Sequence, residues 1–160
     1  MGITPYKEQQ MTLSILTPNP KAWQRKQREL EASGYSYVGF LFDGLAVCHK
    51  RIDGKLKYGF LNSRGIEVVP CIYDWASRHV DGFAIVEKNG LYGFVNSKGK
   101  KITECEYDEL NGFRTLLGES NPIYGVGVKQ NKFYIISRTG DALGPITESA
   151  MELLRSNINN

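Results

Sequence analysis

The chain has little of what marks a membrane, metal or catalytic protein. No apolar run approaches the roughly 20 residues that span a bilayer. The opening MGITPYKEQQMTLSILTPNP holds neither a basic start nor a continuous apolar stretch of secretory type. Tyr6 stands where N-myristoylation requires Ser or Thr. Cysteine occurs three times, an odd number without a CxxC pair, which suits free thiols in a reducing compartment. A cytoplasmic protein with no membrane contact is expected. The formal charge of +3 falls short of the density that by itself marks a nucleic-acid binder.

Catalytic and ligand-binding signatures are equally scarce. There is no GxSxG, HExxH, P-loop or dinucleotide fingerprint, and GLAVCHKRIDG has neither the glycine spacing nor the strand-to-helix context of one. Cys71 and Cys105 occupy the same slot 34 residues apart, while Cys48 aligns with Val86, so these cysteines behave as small hydrophobes. Together with His49 and His79 they offer no closely spaced ligand pair. The expectation is no enzyme, no catalytic residue, no metal and no cofactor.

What the chain does have is repetition. KYGFLNSRG from Lys57 returns as LYGFVNSKG from Leu91, and the longer stretch that opens at Asp43 opens again at Asp81. A third copy, GVGVKQNKFYIISRTGD, sets Phe133 under Tyr92 and Gly140 under Gly99. Ahead of the first copy, YSYVGFLFDG from Tyr35 matches YDWASRHVDG from Tyr73. The organisation read from this is a segment 1–34 with a basic capping helix and repeats over 35–144, divided as a part copy 35–42 and copies 43–80, 81–113 and 122–144. A C-terminal capping helix and tail, 145–160, completes it. At 160 residues and 41% hydrophobic, the chain is long enough to bury a core without staples.

Each copy reads as antiparallel β-structure. Asn89-Gly90 between two apolar runs signals a two-residue hairpin, and pairing Lys88 with Leu91 then fixes the register. Phe83, Ile85, Tyr92 and Phe94 fall on one face, and the smaller Ala84, Val86, Gly93 and Val95 on the other. The first copy splits in the same way, with Leu45, Val47, Tyr58 and Phe60 opposite Ala46, Cys48, Gly59 and Leu61. In the third, Val126, Val128, Phe133 and Ile135 oppose Gly125, Gly127, Tyr134 and Ile136. Both faces are apolar enough to be covered, as stacked repeats require. A turn at NSRG or NSKG leads to a third strand in IEVVP and KITE, and Tyr73-Asp74 and Tyr107-Asp108 close the units. Asp74 and Asp108 read as turn-capping acceptors, because a catalytic carboxylate is rarely needed twice.

The order Gly-x-Ala-x-Val, aromatic-Gly-Phe-hydrophobic-Asn, Gly, Val-Val-Pro, Tyr-Asp resembles the WG repeat, also called the KWG repeat, over about Tyr35 to Gly140. The signature tryptophan is replaced by Tyr58, Tyr92 and Phe133, the glycine of the third copy by Tyr134, and Pro70 by Glu104 in the second copy. The resemblance implies a β-rich repeat protein, and with the terminal helical runs the expected fold is mainly β, a short array of antiparallel hairpin or three-stranded WG-like repeats capped by an N-terminal and a C-terminal α-helix. It also implies a bacterial protein with an interaction role and no active site to carry over.

Candidate binding residues are those that break the repetition. The polar helix within TPNPKAWQRKQRELEASG sets Trp23 and Leu30 on one face and ends at Gly34. Lys21, Arg25, Lys26 and Arg28 crowd its first half, the unfavourable end of the helix dipole for cations. Trp75, Arg78 and His79 are singular against the second copy, as is the Arg114 to Tyr124 loop. At the other end, PITESAMELLRS places Ile146, Ala150, Leu153 and Leu154 on a helical stripe, with Ser149 and Glu152 at capping-box spacing. The expected function is a non-catalytic protein-binding module or adaptor, with self-association open. The alternative is an accessory factor of a nucleoprotein complex, touching nucleic acid through the basic helix and the hairpin residues Lys50, Arg51, Lys55 and Lys57.

Overall fold

Asn89 and Gly90 both take positive φ, 55° and 79°, and close a hairpin whose strands pair Lys88 with Leu91 and Ile85 with Phe94. The computed structural model describes residues 19–114 and 124–158. In chain order the elements are helix α1 (Pro20–Ala32), then strands β1 (Tyr37–Phe42), β2 (Leu45–Ile52), β3 (Lys55–Asn62), β4 (Glu67–Tyr73), β5 (Trp75–Ala76), β6 (Phe83–Lys88) and β7 (Leu91–Asn96). They continue with β8 (Glu109–Arg114), β9 (Tyr124–Lys129), β10 (Lys132–Ser137), β11 (Ala142–Ile146) and helix α2 (Glu148–Ile158). The protein is mainly β, with one helix before the first strand and one after the last. The sheets run β1-β2-β3-β4, β5-β6-β7 and β11-β10-β9-β8. In all three, the strand before a hairpin joins that hairpin's sheet. Contacts divide the chain into two compact units between Ile72 and Tyr73.

In the first unit the small face of the β2–β3 hairpin is covered by α1. Asn19 caps the helix by accepting the Lys21 N–H (3.1 Å), Pro20 occupies its first turn, and the Tyr35 N–H returns to the Leu30 carbonyl past Gly34. Trp23 is buried with Val38, Leu41, Ala46, Cys48, Leu61 and Cys71, and Leu30 packs against the same cluster. The docking has a polar anchor. Between Val38 and Leu41 the pairing of β1 with β2 slips by a bulge. The Gly39 carbonyl there accepts from Trp23 Nε1 (3.1 Å) and Gln27 Nε2 (2.9 Å), and the Val38 carbonyl accepts from Gln27 (2.9 Å). A helix side chain thus satisfies what the ladder leaves open.

The second unit nests one hairpin on the next. Phe83 and Phe94, on the large face of β6–β7, share a core with Tyr107 and Ile136. They meet the small face of β9–β10. A Cβ on Gly125 would lie 3.0 Å from the Phe94 ring, and one on Gly127 would lie 2.5 Å from Tyr107. Glycine at these two positions is what lets the rings in.

The glycine after each signature aromatic has a separate cause. A Cβ on Gly93 would lie 2.8 Å from the Glu104 carbonyl oxygen, and one on Gly59 would collide with the Val69 carbonyl, because the following segment crosses directly over each. In the third sheet Tyr134 fills that slot and the glycine moves to the crossing strand, where a Cβ on Gly144 would meet the Phe133 carbonyl at 2.8 Å. The close approach survives with the small residue on the other partner.

Turn chemistry repeats as well. Asn62 Oδ1 accepts the N–H groups of Arg64 and Ile66, and Asn96 Oδ1 those of Lys98 and Lys100, all at 3.0 Å. Ser137 Oγ takes the same two positions in the third copy, from Thr139 (3.3 Å) and Asp141 (3.1 Å).

Three local expectations are corrected. KITE forms one isolated bridge, Lys101 with Val95, rather than a third strand, because the Thr103 hydroxyl takes the Phe94 N–H at 3.0 Å in place of a ladder carbonyl. Helix α2 is capped by Thr147, whose Oγ1 accepts the Ala150 N–H (3.3 Å), so Ser149 lies inside the helix and Ile146 in β11. Its inward residue is Met151, 3% exposed, while Leu153 is 67% exposed. Asp74 and Asp108 do cap turns, but those of the following hairpins: Asn89 N–H to Asp74 Oδ2 and Gln130 N–H to Asp108 Oδ2, both 2.8 Å.

The nesting makes two stability predictions. Phe94→Ala is expected to cost about 3–5 kcal/mol through the cavity it opens. Gly127→Ala adds one methyl and removes no contact, yet is expected to cost about 1–3 kcal/mol by overpacking against Tyr107. Denaturant midpoints at constant slope check both; an unchanged midpoint for Gly127→Ala contradicts the nesting.

Candidate functional site

Three strands of the second sheet place three side chains in one row. β5 sets Trp75 opposite Glu87 on β6, and β6 sets Glu87 opposite Tyr92 on β7. Directly opposed Cβ atoms in such ladders lie about 4.5–5.5 Å apart, so the Glu87 side chain stands in the row between Trp75 and Tyr92. The row forms one wall of a cleft of about 520 Å³, closed by Ile85, Asp108, Glu109, Leu110 and Asn111. Trp75 is 41% exposed, Asp108 and Glu109 are exposed, and Glu87 and Tyr92 are half-buried. The cleft therefore joins aromatic and aliphatic surface to three carboxylates. Asp108 already holds the Gln130 N–H, whereas Glu87 and Glu109 make no ion pair or side-chain hydrogen bond among the described residues.

Equivalent rows in the other sheets differ in chemistry. In the first, Tyr37, His49 and Tyr58 line up, with ring centroids 5.3 Å and 4.8 Å apart. Burial, with a smaller contribution from Arg51, pushes the His49 imidazole below its ordinary value. In the third the row is Glu109, Val128 and Phe133. An acid between two aromatics occurs only in the second of these sheets.

The residues singled out by sequence are partly dispersed. Trp75 lines the cleft and Arg78 is exposed, but His79 is 2% exposed, with Nε2 3.1 Å from the Asn96 carbonyl oxygen. It is a core residue, not a surface ligand, because its slot is that of buried Leu41 one repeat earlier. On α1, Lys21, Arg25 and Arg28 are exposed at helical spacing opposite Trp23. Lys26 leaves that stripe; it pairs with Glu29 (3.0 Å), and a Cβ on Gly65 would lie 3.2 Å from its stem. Among the hairpin cations, Lys50 is committed to Glu67 (3.0 Å) and Arg51 donates to the Gly54 carbonyl (3.1 Å). Residues 115–123 of the Arg114 to Tyr124 loop lie outside the described residues. Sequence reasoning missed Glu87, Asp108 and Glu109 as one site, although the Lys88–Leu91 register already implied that Glu87 faces Tyr92.

A second polar constellation sits in the first unit and is structural. Glu67 Oε2 accepts from the Tyr35 hydroxyl (2.5 Å) and Lys50 (3.0 Å), and Oε1 accepts the Cys71 N–H (3.0 Å). Cys71 Sγ lies 3.7 Å from Cys48 Sγ. Burial pushes the Glu67 carboxyl up, but the bonds from Tyr35, Lys50 and Cys71 outweigh it and hold the group below its ordinary value. Burial, then the bond to Glu67, pushes the Tyr35 hydroxyl up. The bond to Cys71, reinforced by burial, pushes the Cys48 thiol up. Among the described residues no group of three or more His, Cys, Asp or Glu could hold a metal ion, and no helix is long and apolar enough to cross a membrane.

A depressed carboxylate stabilises the fold above its unfolded value, about 4.3, and that contribution is lost as pH falls through the lower folded value. Glu67→Gln is therefore expected to be most destabilising near neutral pH. Its deficit shrinks as pH drops below about 4, which denaturant midpoints of both proteins across pH would show.

Residues 58–92 and 92–114 match the family model for the WG containing repeat. Both segments open on the signature aromatic, Tyr58 and Tyr92. No curated protein and no solved structure matches the chain.

Proposed function

We propose that this chain, a WG-repeat protein over its central hairpins, is a non-catalytic binding module that docks a partner protein on the cleft centred on Trp75. The single observation that carries the reading is the cleft itself. A half-exposed tryptophan beside Tyr92, Ile85 and Leu110 offers the rigid, desolvatable surface on which protein partners anchor, and its polar rim supplies orientation. Carboxylates at the rim repel phosphate, which favours protein over nucleic acid at this face. Catalysis has no place in the reading: Asp108 recurs as Asp74 in the same turn-capping role, and the buried thiols sit in packing slots. Free cysteines suit the cytoplasm of a bacterial cell, and the reading includes no cofactor.

One observation favours the nucleoprotein alternative. Lys21, Arg25 and Arg28 form an exposed cationic stripe on α1, and Lys21 stands in its first turn, where the dipole disfavours cations. Folding gives no reason for that placement. The commitment of Lys50 to Glu67 weakens this reading, since it removes a hairpin cation from phosphate contact.

Cross-linked affinity capture separates the two. Trp75→Ala is expected to abolish capture of a protein partner, while Arg25→Glu with Arg28→Glu and nuclease treatment leave it in place, all with thermal midpoints within a few degrees of the parent. Capture that survives Trp75→Ala, but is lost on charge reversal or nuclease digestion, moves the function to the basic helix and its salt-sensitive phosphate contacts.

A further inference from the structure

We infer that the row Trp75–Glu87–Tyr92 is a receptor for an arginine side chain presented by the partner protein, a ligand class that rests on the protein-docking reading above and deepens it. The Glu87 side chain is half-buried in the row between Trp75 and Tyr92, and it makes no ion pair or side-chain hydrogen bond among the described residues. Withdrawing a carboxylate from water costs free energy unless a donor replaces the lost hydration. A donor that pairs with Glu87 comes from outside the described residues.

Shape and charge select the donor. Glu109 and Asp108 add negative charge on the facing wall, so the complement is cationic. Trp75 and Tyr92 flank the acid, and a cation held over their faces gains from the ring quadrupoles. A guanidinium meets both demands at once, since it stacks flat on an aromatic ring while its planar fork pairs with a carboxylate. An ammonium is a compact, strongly hydrated point charge that gives up more hydration to enter and cannot stack. The cleft of about 520 Å³, with Ile85 and Leu110 in its lining, has room for the aliphatic stem as well.

The rest of the chain serves as an internal comparison. The first sheet places His49, not an acid, between its two tyrosines, and the third places Val128 beside Glu109. Only the second of the three rows joins a carboxylate to aromatic rings on both sides. Repeat architecture alone therefore does not require Glu87, because the other two sheets are built without an acid there.

Titration of the full chain with hexa-arginine, hexa-lysine and hexa-glutamate peptides tests the inference, read by calorimetry and by emission from Trp75. Trp23 is buried on α1, so a Trp23→Phe background isolates the signal. Saturable binding of hexa-arginine is expected, several-fold tighter than hexa-lysine, with none for hexa-glutamate. Glu87→Gln is expected to weaken it about tenfold, in line with the loss of one charge-assisted hydrogen bond. Glu109→Gln should weaken it several-fold, and supplies the same test should Glu87→Gln fail to fold. Glu148→Gln, on α2, removes the same charge elsewhere and is expected to change nothing. Equal affinity for the parent, Glu87→Gln and Glu109→Gln overturns the inference, as does hexa-lysine binding as tightly as hexa-arginine. No binding of hexa-arginine, together with partner capture that is still lost in Trp75→Ala, overturns the arginine assignment and leaves the docking cleft standing. Partner capture that survives Trp75→Ala removes both.

Discussion

Phe94 presses on Gly125 and Tyr107 on Gly127, ring against strand positions that carry no side chain. The other features of the second unit follow from this contact. A hairpin large on one face and small on the other cannot bury either alone, and the mismatch in size is what lets one sheet settle on the next. The first unit solves the same problem with a helix. There the small face is Val38, Ala46, Cys48 and Leu61, and the ring that fills it is Trp23, held by its bond to the Gly39 carbonyl. In both units a small-residue surface receives an aromatic, and the aromatic comes from a different element in each.

How much of this is legible in the sequence depends on the kind of signal. The hairpin registers follow from Asn89-Gly90 and the alternation around it, since turn type and side-chain period together leave one pairing. The helix boundaries of α1 follow from Asn19-Pro20 and Gly34. What local pattern does not supply is who satisfies whom over a distance. Thr103 turning its hydroxyl onto the Phe94 N–H, and Thr147 rather than Ser149 starting α2, are choices between near-equal local options settled by packing. His79 is instructive: read alone it is a polar surface residue, but read one repeat back it lies under buried Leu41.

The cleft is not legible in the sequence for a related reason. Residues that break a repeat draw attention, and Trp75 does so, but Glu87 and Tyr92 stand at positions where every copy has something. A site assembled across three strands is visible only when the register is carried through to the neighbours of each residue, and it then appears as a row rather than a motif. The loop after Arg114 and the basic stripe on α1 are conspicuous in one dimension. The row is conspicuous in two.

The long reach of Asp74 and Asp108 bears on how such a chain could grow. Each aspartate secures the turn of the hairpin that follows it, so the piece that serves a repeat lies outside that repeat's hairpin. Duplication of any whole period, wherever its endpoints fall, returns an aspartate to every internal turn. The copy left unserved is the one at the head of the series. Ser36 stands there in the aspartate's slot, its N–H on the His49 carbonyl as that of Asp74 is on Glu87. The hairpin it precedes, with eight residues in each strand against six in β6–β7, carries its turn at Asp53-Gly54 further out, closed by Arg51 instead. Tandem copying in this scheme needs no accurate breakpoints, and only the turn of the first hairpin is released from the aspartate.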